Sequence, residues 1–307
     1  MAGGKLHLTD TDSHLKPTTY GSLWMLVAGV FFAIMGVCVK LGAARYSTSE
    51  LVFYRSLFGF LTIWGITHSQ GLRLSTPRWR MHLSRSLVGF VSLLLFFYAI
   101  TAMPLAAAVT LNYTSPLFLA VFLALLLREP IKPLLIVALL LGFVGVVLLL
   151  HPTLHQDQLL AGMCGLLSGV LAGLAYLQVT QLGRLGEPEW RTVFYFTLVC
   201  TLGSGAWMLL QDFHAVTLPD LFLLVGMGAS ATLAQLAMTR AYRKGESLVV
   251  GSLAYSTVVF ASLFGVLLWN ETLTPAHWLA IALIIASGVL SVRATKLYAP
   301  RGHGENQ

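Results

Sequence analysis

The stretch LNYTSPLFLAVF, Leu111–Phe122, has a double in the same chain: LAYSTVVFASLF, Leu253–Phe264. At a shift of 142 residues Leu111 falls on Leu253, Tyr113 on Tyr255, Phe118 on Phe260 and Phe122 on Phe264. The same shift carries Glu129 onto Glu271, Pro133 onto Pro275 and Ala138 onto Ala280. Leucine and alanine matches in apolar sequence mean little. The E-x-x-x-P match falls at the same joint between two apolar runs, and that is harder to obtain by chance. The chain reads as two related halves.

Composition fixes the solvent around those halves. Of 307 residues, 57% are hydrophobic and 10% charged, where a soluble domain carries about 25% charged residues. The mean hydropathy is +0.79, so the sequence describes an integral membrane protein. A membrane-spanning helix needs about 20 mainly apolar residues, and ten stretches qualify: 20–41, 50–68, 85–102, 105–127, 131–150, 159–181, 191–210, 219–239, 247–269 and 275–293. The first is longer than the core of a cleaved signal peptide, about 7–15 residues, and reads as a retained span. Short joints such as REPIKP and RKGE leave no room for a soluble domain. The expected domains are an N-tail over 1–19, a first repeat over 20–150, a second over 159–293 and a C-tail over 294–307. Five spans per half is an odd number, so the second half enters the membrane the opposite way up. Inverted repeats of this kind place a substrate site between the halves near the midplane.

Charge sets orientation and removes other function classes. The net charge is +7, but 16 of 19 basic residues lie in the tails and the loops after spans 2, 4, 6 and 8, or just inside those span ends. The other loops hold only Arg45. Basic residues spread over short loops point to topology rather than to a nucleic-acid surface. They place both termini in the cytoplasm of a plasma membrane, bacterial inner membrane included. Cys38, Cys164 and Cys200 lie within apolar runs and read as packing residues. No HExxH, GxSxG or Walker loop occurs, and the nine histidines lack ligand spacing. Enzyme chemistry, metals and cofactors are not expected.

Charges inside spans are the first candidates for function. Arg55 lies about 7–8 Å below the outer end of span 2, on a face with Thr48, Gly59, Thr62 and Ser69. Lys40 closes a stripe of small residues, Gly29, Ala33 and Gly36. Either cation serves substrate or reaches the outer interface, and Glu50 is an available partner for Arg55. No Asp or Glu lies deep in a span. Cations without fixed anions favour an anionic solute, and the same lack speaks against a carboxylate proton relay. Pro116 frees the carbonyl of Asn112, so Asn112, Tyr113 and Ser115 either line a cavity or mark a kink satisfied by neighbouring helices. Tyr255 holds the matching place in the second half, where no proline occurs. Tyr176 follows Gly165, Gly169 and Gly173, which read as packing positions. Thr232 and Gln235 share a face of span 8 with Thr239. Tyr98 and Tyr195 are weaker candidates. Glu129 and Glu271 read as structural charges at helix N-termini, and Trp64, Trp79, Trp190, Trp269 and Trp278 as an interfacial belt.

The run RSLVGFVSLLLFFYAITAMPLAAAVTLNYTSPLFLAVFLALLLREPIKPLLIVALLLGFVGVVLLL, residues 85–150, resembles the EamA repeat of the drug/metabolite transporter superfamily. The resemblance rests on Tyr98-Ala99, Met103-Pro104-Leu105, Ser115-Pro116 and Glu129. Gly226–Val292 resembles the same repeat more loosely, with Gly245-Glu246 in place of Met103-Pro104. Lys40, Glu50 and Arg55 are similar to the pattern in the G branch of solute carrier family 35. The resemblance implies an all-α membrane protein of ten helices in two inverted five-helix repeats, a central cavity and alternating access.

The expected function is transport of a small organic solute, an organic anion or carboxylate first and a neutral or zwitterionic metabolite second, by facilitated diffusion or exchange. The expected substrate contacts are Lys40, Arg55, Tyr98, Asn112, Tyr113, Ser115, Tyr176, Thr232, Gln235 and Tyr255. Expected partners are the substrate and membrane lipid, with the chain as a monomer or weak homodimer.

Overall fold

A computed structural model describes residues 19–103, 105–150, 158–211, 214–269 and 274–297. Among these residues all regular structure is helical: α1 (Thr19–Gly42), α2 (Thr48–Ser69), α3 (Trp79–Ala102), α4 (Leu105–Asn112), α5 (Ser115–Leu126) and α6 (Pro133–Leu150) in the first half. The second half holds α7 (Leu159–Arg184), α8 (Glu189–Met208), α9 (Leu218–Lys244), α10 (Ser247–Ala254), α11 (Ser256–Trp269) and α12 (Pro275–Leu297). Both tails, apart from a few residues next to α1 and α12, lie outside the described residues, as do Pro104 and Glu271.

Eight described helical stretches are long and apolar enough to cross a membrane. The exceptions are α2 and α8, of 22 and 20 residues, which are long enough but more polar. They pack on each other, and together they supply much of the site described below. The helices' outward faces are apolar, with Trp64, Trp79, Trp278 and many leucines exposed, as a surface solvated by lipid requires.

Two expected single spans are each broken once. The first breaks at Tyr113 and Thr114 and the second at Tyr255, positions that coincide under the 142-residue shift. Pro116 alone does not explain this, because the second break has no proline. The shared device is a hydroxyl that bonds back. Thr114 Oγ1 donates to the Leu111 carbonyl at 2.5 Å, and its equivalent Ser256 Oγ donates to the Leu253 carbonyl at 2.7 Å. Each hydroxyl satisfies a carbonyl that the interrupted ladder leaves free.

The halves interleave, and the pairing survives their exchange. α1 lies along α9 and α3 along α7, while α2 pairs with its own equivalent α8, and α6 with α12. These pairs run antiparallel. Ser287 Oγ donates to the Ala138 carbonyl at 2.7 Å, whereas a methyl on Gly145 would stand 2.8 Å from Ile284. Phe53 of α2 meets Gly205 of α8, and Phe60 meets Phe194. The largest core cluster lies among α5, α6, α9, α10, α11 and α12, centred on Leu119, Leu139, Val146, Val249 and Tyr255.

Polar residues tie the halves at both ends. At the end where α2 and α7 finish, Gly186 adopts φ +80, a left-handed turn that glycine takes without a Cβ clash. It delivers Glu187 into a buried place. There the carboxylate accepts from Thr76 Oγ1 at 2.6 Å, Arg191 Nη1 at 2.7 Å and Arg78 Nη1 at 3.2 Å, and pairs with His82 Nε2 at 3.1 Å. Thr76, Arg78 and His82 belong to the first half, Glu187 and Arg191 to the second. Burial opposes the charge on Glu187, but these donors outweigh it and hold the carboxyl at about 2. At the opposite end Glu50, fully buried, closes a capping box with Ser47 and accepts from His214 N at 2.5 Å. Tyr46 and Arg45 both bind Asp220 there, at 2.9 and 3.0 Å.

Three expectations change. Glu50 is occupied by Ser47 and His214 and does not pair with Arg55. Glu129 lies four residues before α6 and bonds to Arg184, so it links α7 to the α5–α6 loop instead of serving a helix dipole. Span 3 begins at Trp79, not 85, so Arg85 is no longer an end charge: it lies about 9 Å along the helix.

Candidate functional site

Between α2, α8 and α9 lies a cavity of about 10 Å³ lined by Arg55, Ser56, Phe196, Thr197, Ala231, Thr232 and Gln235. The three helices meet closely because α2 carries Gly59 at the crossing. A methyl there would stand 3.0 Å from both Thr197 and Thr232. Thr232 Oγ1 donates back to the Gly228 carbonyl at 2.7 Å, which leaves Gln235 as the free polar group of α9 in the cavity. Gln235 is buried and its Oε1 has no partner. Arg55 donates Nη1 to Met35 Sδ at 3.5 Å, and no carboxylate among the described residues pairs with it. The volume suits about one water.

Arg85 stands on the other side of the Phe196 ring, its guanidinium carbon 4.1 Å from the ring centroid. It is 3% exposed, and Nε and Nη1 lack hydrogen-bond partners. Tyr176 lies within electrostatic reach of Arg85, and its hydroxyl neighbours Ser115. Tyr176 stacks on Tyr242 at 5.1 Å, and Tyr113 lies 6.2 Å from its repeat equivalent Tyr255. The hydroxyls of Tyr242 and Tyr255 are buried without partners. Unpaired buried polar groups are costly and uncommon in folded proteins. A row of them along one interior is what a site for a polar guest requires.

The structure brings Arg55, Thr232 and Gln235 together at the cavity, and Tyr113, Ser115, Tyr176 and Tyr255 into the neighbouring tyrosine layer. Asn112 turns away: its Nδ2 donates to Ser168 Oγ at 3.1 Å and binds the α4 end to α7. Lys40 is exposed in the last turn of α1, and Tyr98 is 44% exposed on α3. Neither lines the cavity.

Sequence reasoning passed over Arg85, Phe196 and Tyr242. Signals existed for two of them. His82, Arg85, Gly89 and Ser92 form a polar or small stripe at steps of three and four. Tyr242 continues the Thr232, Gln235, Thr239 face by one more step. Phe196 carries no such mark among 17 phenylalanines.

The sequence profile of the EamA-like transporter family matches this chain twice, over residues 19–151 and 159–293. The chain belongs to the EamA-like transporter family. Its curated relatives include the pseudopaline exporter CntI of Pseudomonas aeruginosa, 33% identical over 89% of this chain and 94% of that protein. A riboflavin transporter of Rhizobium johnstonii is 26% identical, over 93% of this chain and 96% of that protein. A solved crystal structure superposes with a TM-score of 0.81, covering 92% of this chain and 99% of its own, at 19% identity. That likeness concerns the fold. This EamA-like protein is thus an integral membrane transporter of small molecules and not an enzyme, and the two profile matches fall on the two interleaved halves.

Proposed function

We propose that this EamA-like transporter is an alternating-access carrier of a small organic anion, a carboxylate above all, working by facilitated diffusion or exchange. Ten spans form two five-helix repeats inserted opposite ways up. The coincident helix breaks and the antiparallel packing of equivalent helices support that inversion. Both termini are cytoplasmic. The loops tied at the Glu187 end are the basic ones, which favours that end as the inner face. The carrier is a monomer or weak homodimer in lipid.

One observation carries the choice of anion: Arg55 lines an interior cavity with no carboxylate partner among the described residues. A charge held inside a membrane protein without a counter-ion marks a functional site. Arg55 holds the anion, and Thr232 and Gln235 hydrogen-bond it. Tyr113, Ser115, Tyr176 and Tyr255 shape the far wall. Lys40, at the outer end of α1, draws anions toward the mouth, while Tyr98 and Asn112 act from the margin. The names of the relatives, a pseudopaline exporter and a riboflavin transporter, favour the second reading, export of neutral or zwitterionic metabolites. Counterflow in proteoliposomes separates the two. Labelled di- and tricarboxylates should exchange, and Arg55→Ala should slow them at least ~10-fold, as the loss of one charge-assisted contact implies. Exchange of amino acids or riboflavin instead, undiminished in Arg55→Ala, overturns the anion reading.

A further inference from the structure

The mechanism above uses one guanidinium, yet two converge on the same short segment of α8. Phe196 and Cys200 are four residues apart and share a helical face. Arg55 and Phe196 line one cavity, and Arg85 lies against the ring of that same Phe196 at 4.1 Å. Cys200 is within electrostatic reach of both arginines. Each cation comes from a different helix of the first half, α2 and α3, and neither meets a carboxylate among the described residues. Arg85 is the more deeply buried, with two of its three nitrogens unpartnered.

Two neighbouring buried cations repel each other, and each loses hydration without repayment. Nothing in the packing calls for Arg85. A neutral side chain of similar length would fill the same place beside Phe196 without leaving donors unpaired. The pair becomes favourable when something doubly negative lies between or across them, since each guanidinium offers a fork that fits a carboxylate.

We propose that Arg55 and Arg85 together form a dianion site, so that the carrier selects solutes bearing two carboxylates over their monocarboxylate counterparts, with Arg85 as the specificity-determining residue. The inference rests on the anion reading of the cavity. Phe196 stands between the two guanidiniums as a spacer, so the two acidic groups of the solute engage different arginines. Gln235 Oε1, an acceptor, suits a hydroxyl or amide on the connecting chain.

The test is binding to the purified full-length protein in nanodiscs, followed by calorimetry. The probes are straight-chain dicarboxylates of three to five carbons, each paired with its half-amide, which keeps the shape and removes one charge. Wild type should bind at least one dicarboxylate ~10-fold or more tightly than its half-amide. Arg85→Gln should erase that preference by weakening the dicarboxylate alone, and Arg85→Lys should restore part of it. Without ligand, Arg85→Gln should melt no lower than wild type, because no protein partner is lost. A structural arginine would give the opposite result. Binding of half-amides and dicarboxylates with equal affinity, or a preference that survives in Arg85→Gln, overturns the dianion site and leaves the single-anion reading standing. Binding of neither class while amino acids bind removes both readings together.

Discussion

Glu187→Gln tests whether the Glu187 end is held by charge. The native carboxylate is 3% exposed and accepts hydrogen bonds from Thr76, Arg78 and Arg191 beside its pair with His82. Burial alone would raise its pKa, but the donors lower it from 4.5 to about 2. That displacement corresponds to ~3 kcal/mol. Arg78 is 42% exposed on its side chain, and solvent there screens part of the attraction, which leaves ~2 kcal/mol. The native value is the depressed one. The stabilisation is therefore complete above the unfolded value, about 4.5, and drains away as pH falls toward 2. At pH 7 the variant should unfold roughly 4 °C below wild type at this chain length. At pH 3 the gap should shrink to less than half. The assay is thermal unfolding in detergent followed by tryptophan fluorescence, both proteins side by side at pH 7 and pH 3. A gap of the same size at both values would mean that shape, not charge, holds the site. No gap at pH 7 would mean that the cluster contributes nothing.

Three further expectations follow from the geometry. Glu50→Gln should cost ~1–3 kcal/mol in detergent unfolding, because Glu50 is fully buried and accepts from the backbone of both Ser47 and His214; wild-type stability in that variant would show the capping box to be dispensable. Gly173→Ala should destabilise by ~1–3 kcal/mol, since its methyl would stand 2.8 Å from the Ser115 carbonyl and 3.0 Å from the Leu119 nitrogen, both rigid backbone; a variant melting with wild type would show that α5 and α7 can part freely. Thr114→Val and Ser256→Ala should each cost ~1 kcal/mol, the worth of one hydrogen bond at equivalent breaks; a large effect in one half beside none in the other would argue against matched roles.

The architecture was legible because membrane solvent leaves few choices. Backbone groups in lipid must be satisfied within the helix, so apolar runs of the right length become helices. The coincidence of Tyr113 with Tyr255 marked the position where both halves break, although the reason lay in Thr114 and Ser256, not in Pro116. The site was half legible. Arg55, Thr232 and Gln235 stood out as polar residues in apolar spans, and they share a cavity. Asn112 stood out equally, yet its amide is used for packing on Ser168. Polarity in a span shows that a partner exists but not which one. Arg85 was obscured by a boundary: with span 3 begun at residue 85 it resembled the loop arginines beside it, and six more helical residues turned it into an interior charge. Glu187 was hidden for a different reason. Its four partners come from positions 76, 78, 82 and 191, and no local pattern joins the first three to the last.

Among the described residues this conformation is tied across the halves at both ends, with a cavity of about 10 Å³ between them. No metabolite fits in that space, so transport on the alternating-access reading requires one end to part while the other holds. The two ends are built for this in related but unequal ways. Equivalent loops meet at each: α1–α2 with α8–α9 at one end, α7–α8 with α2–α3 at the other. Each buries one glutamate, but Glu187 engages four side chains from both halves, whereas Glu50 reaches across only to His214, with Tyr46 and Arg45 meeting Asp220 nearby. The Glu187 end is the more heavily charged bond. A loss of ~2 kcal/mol there multiplies the population open at that end by about 30, so weakening Glu187 should favour the state that faces the basic side, and weakening Glu50 the state that faces the other. Because the same helices, α2 and α8, carry both the latches' neighbours and the wall of the cavity, an anion drawn in against Arg55 acts on the element that must move.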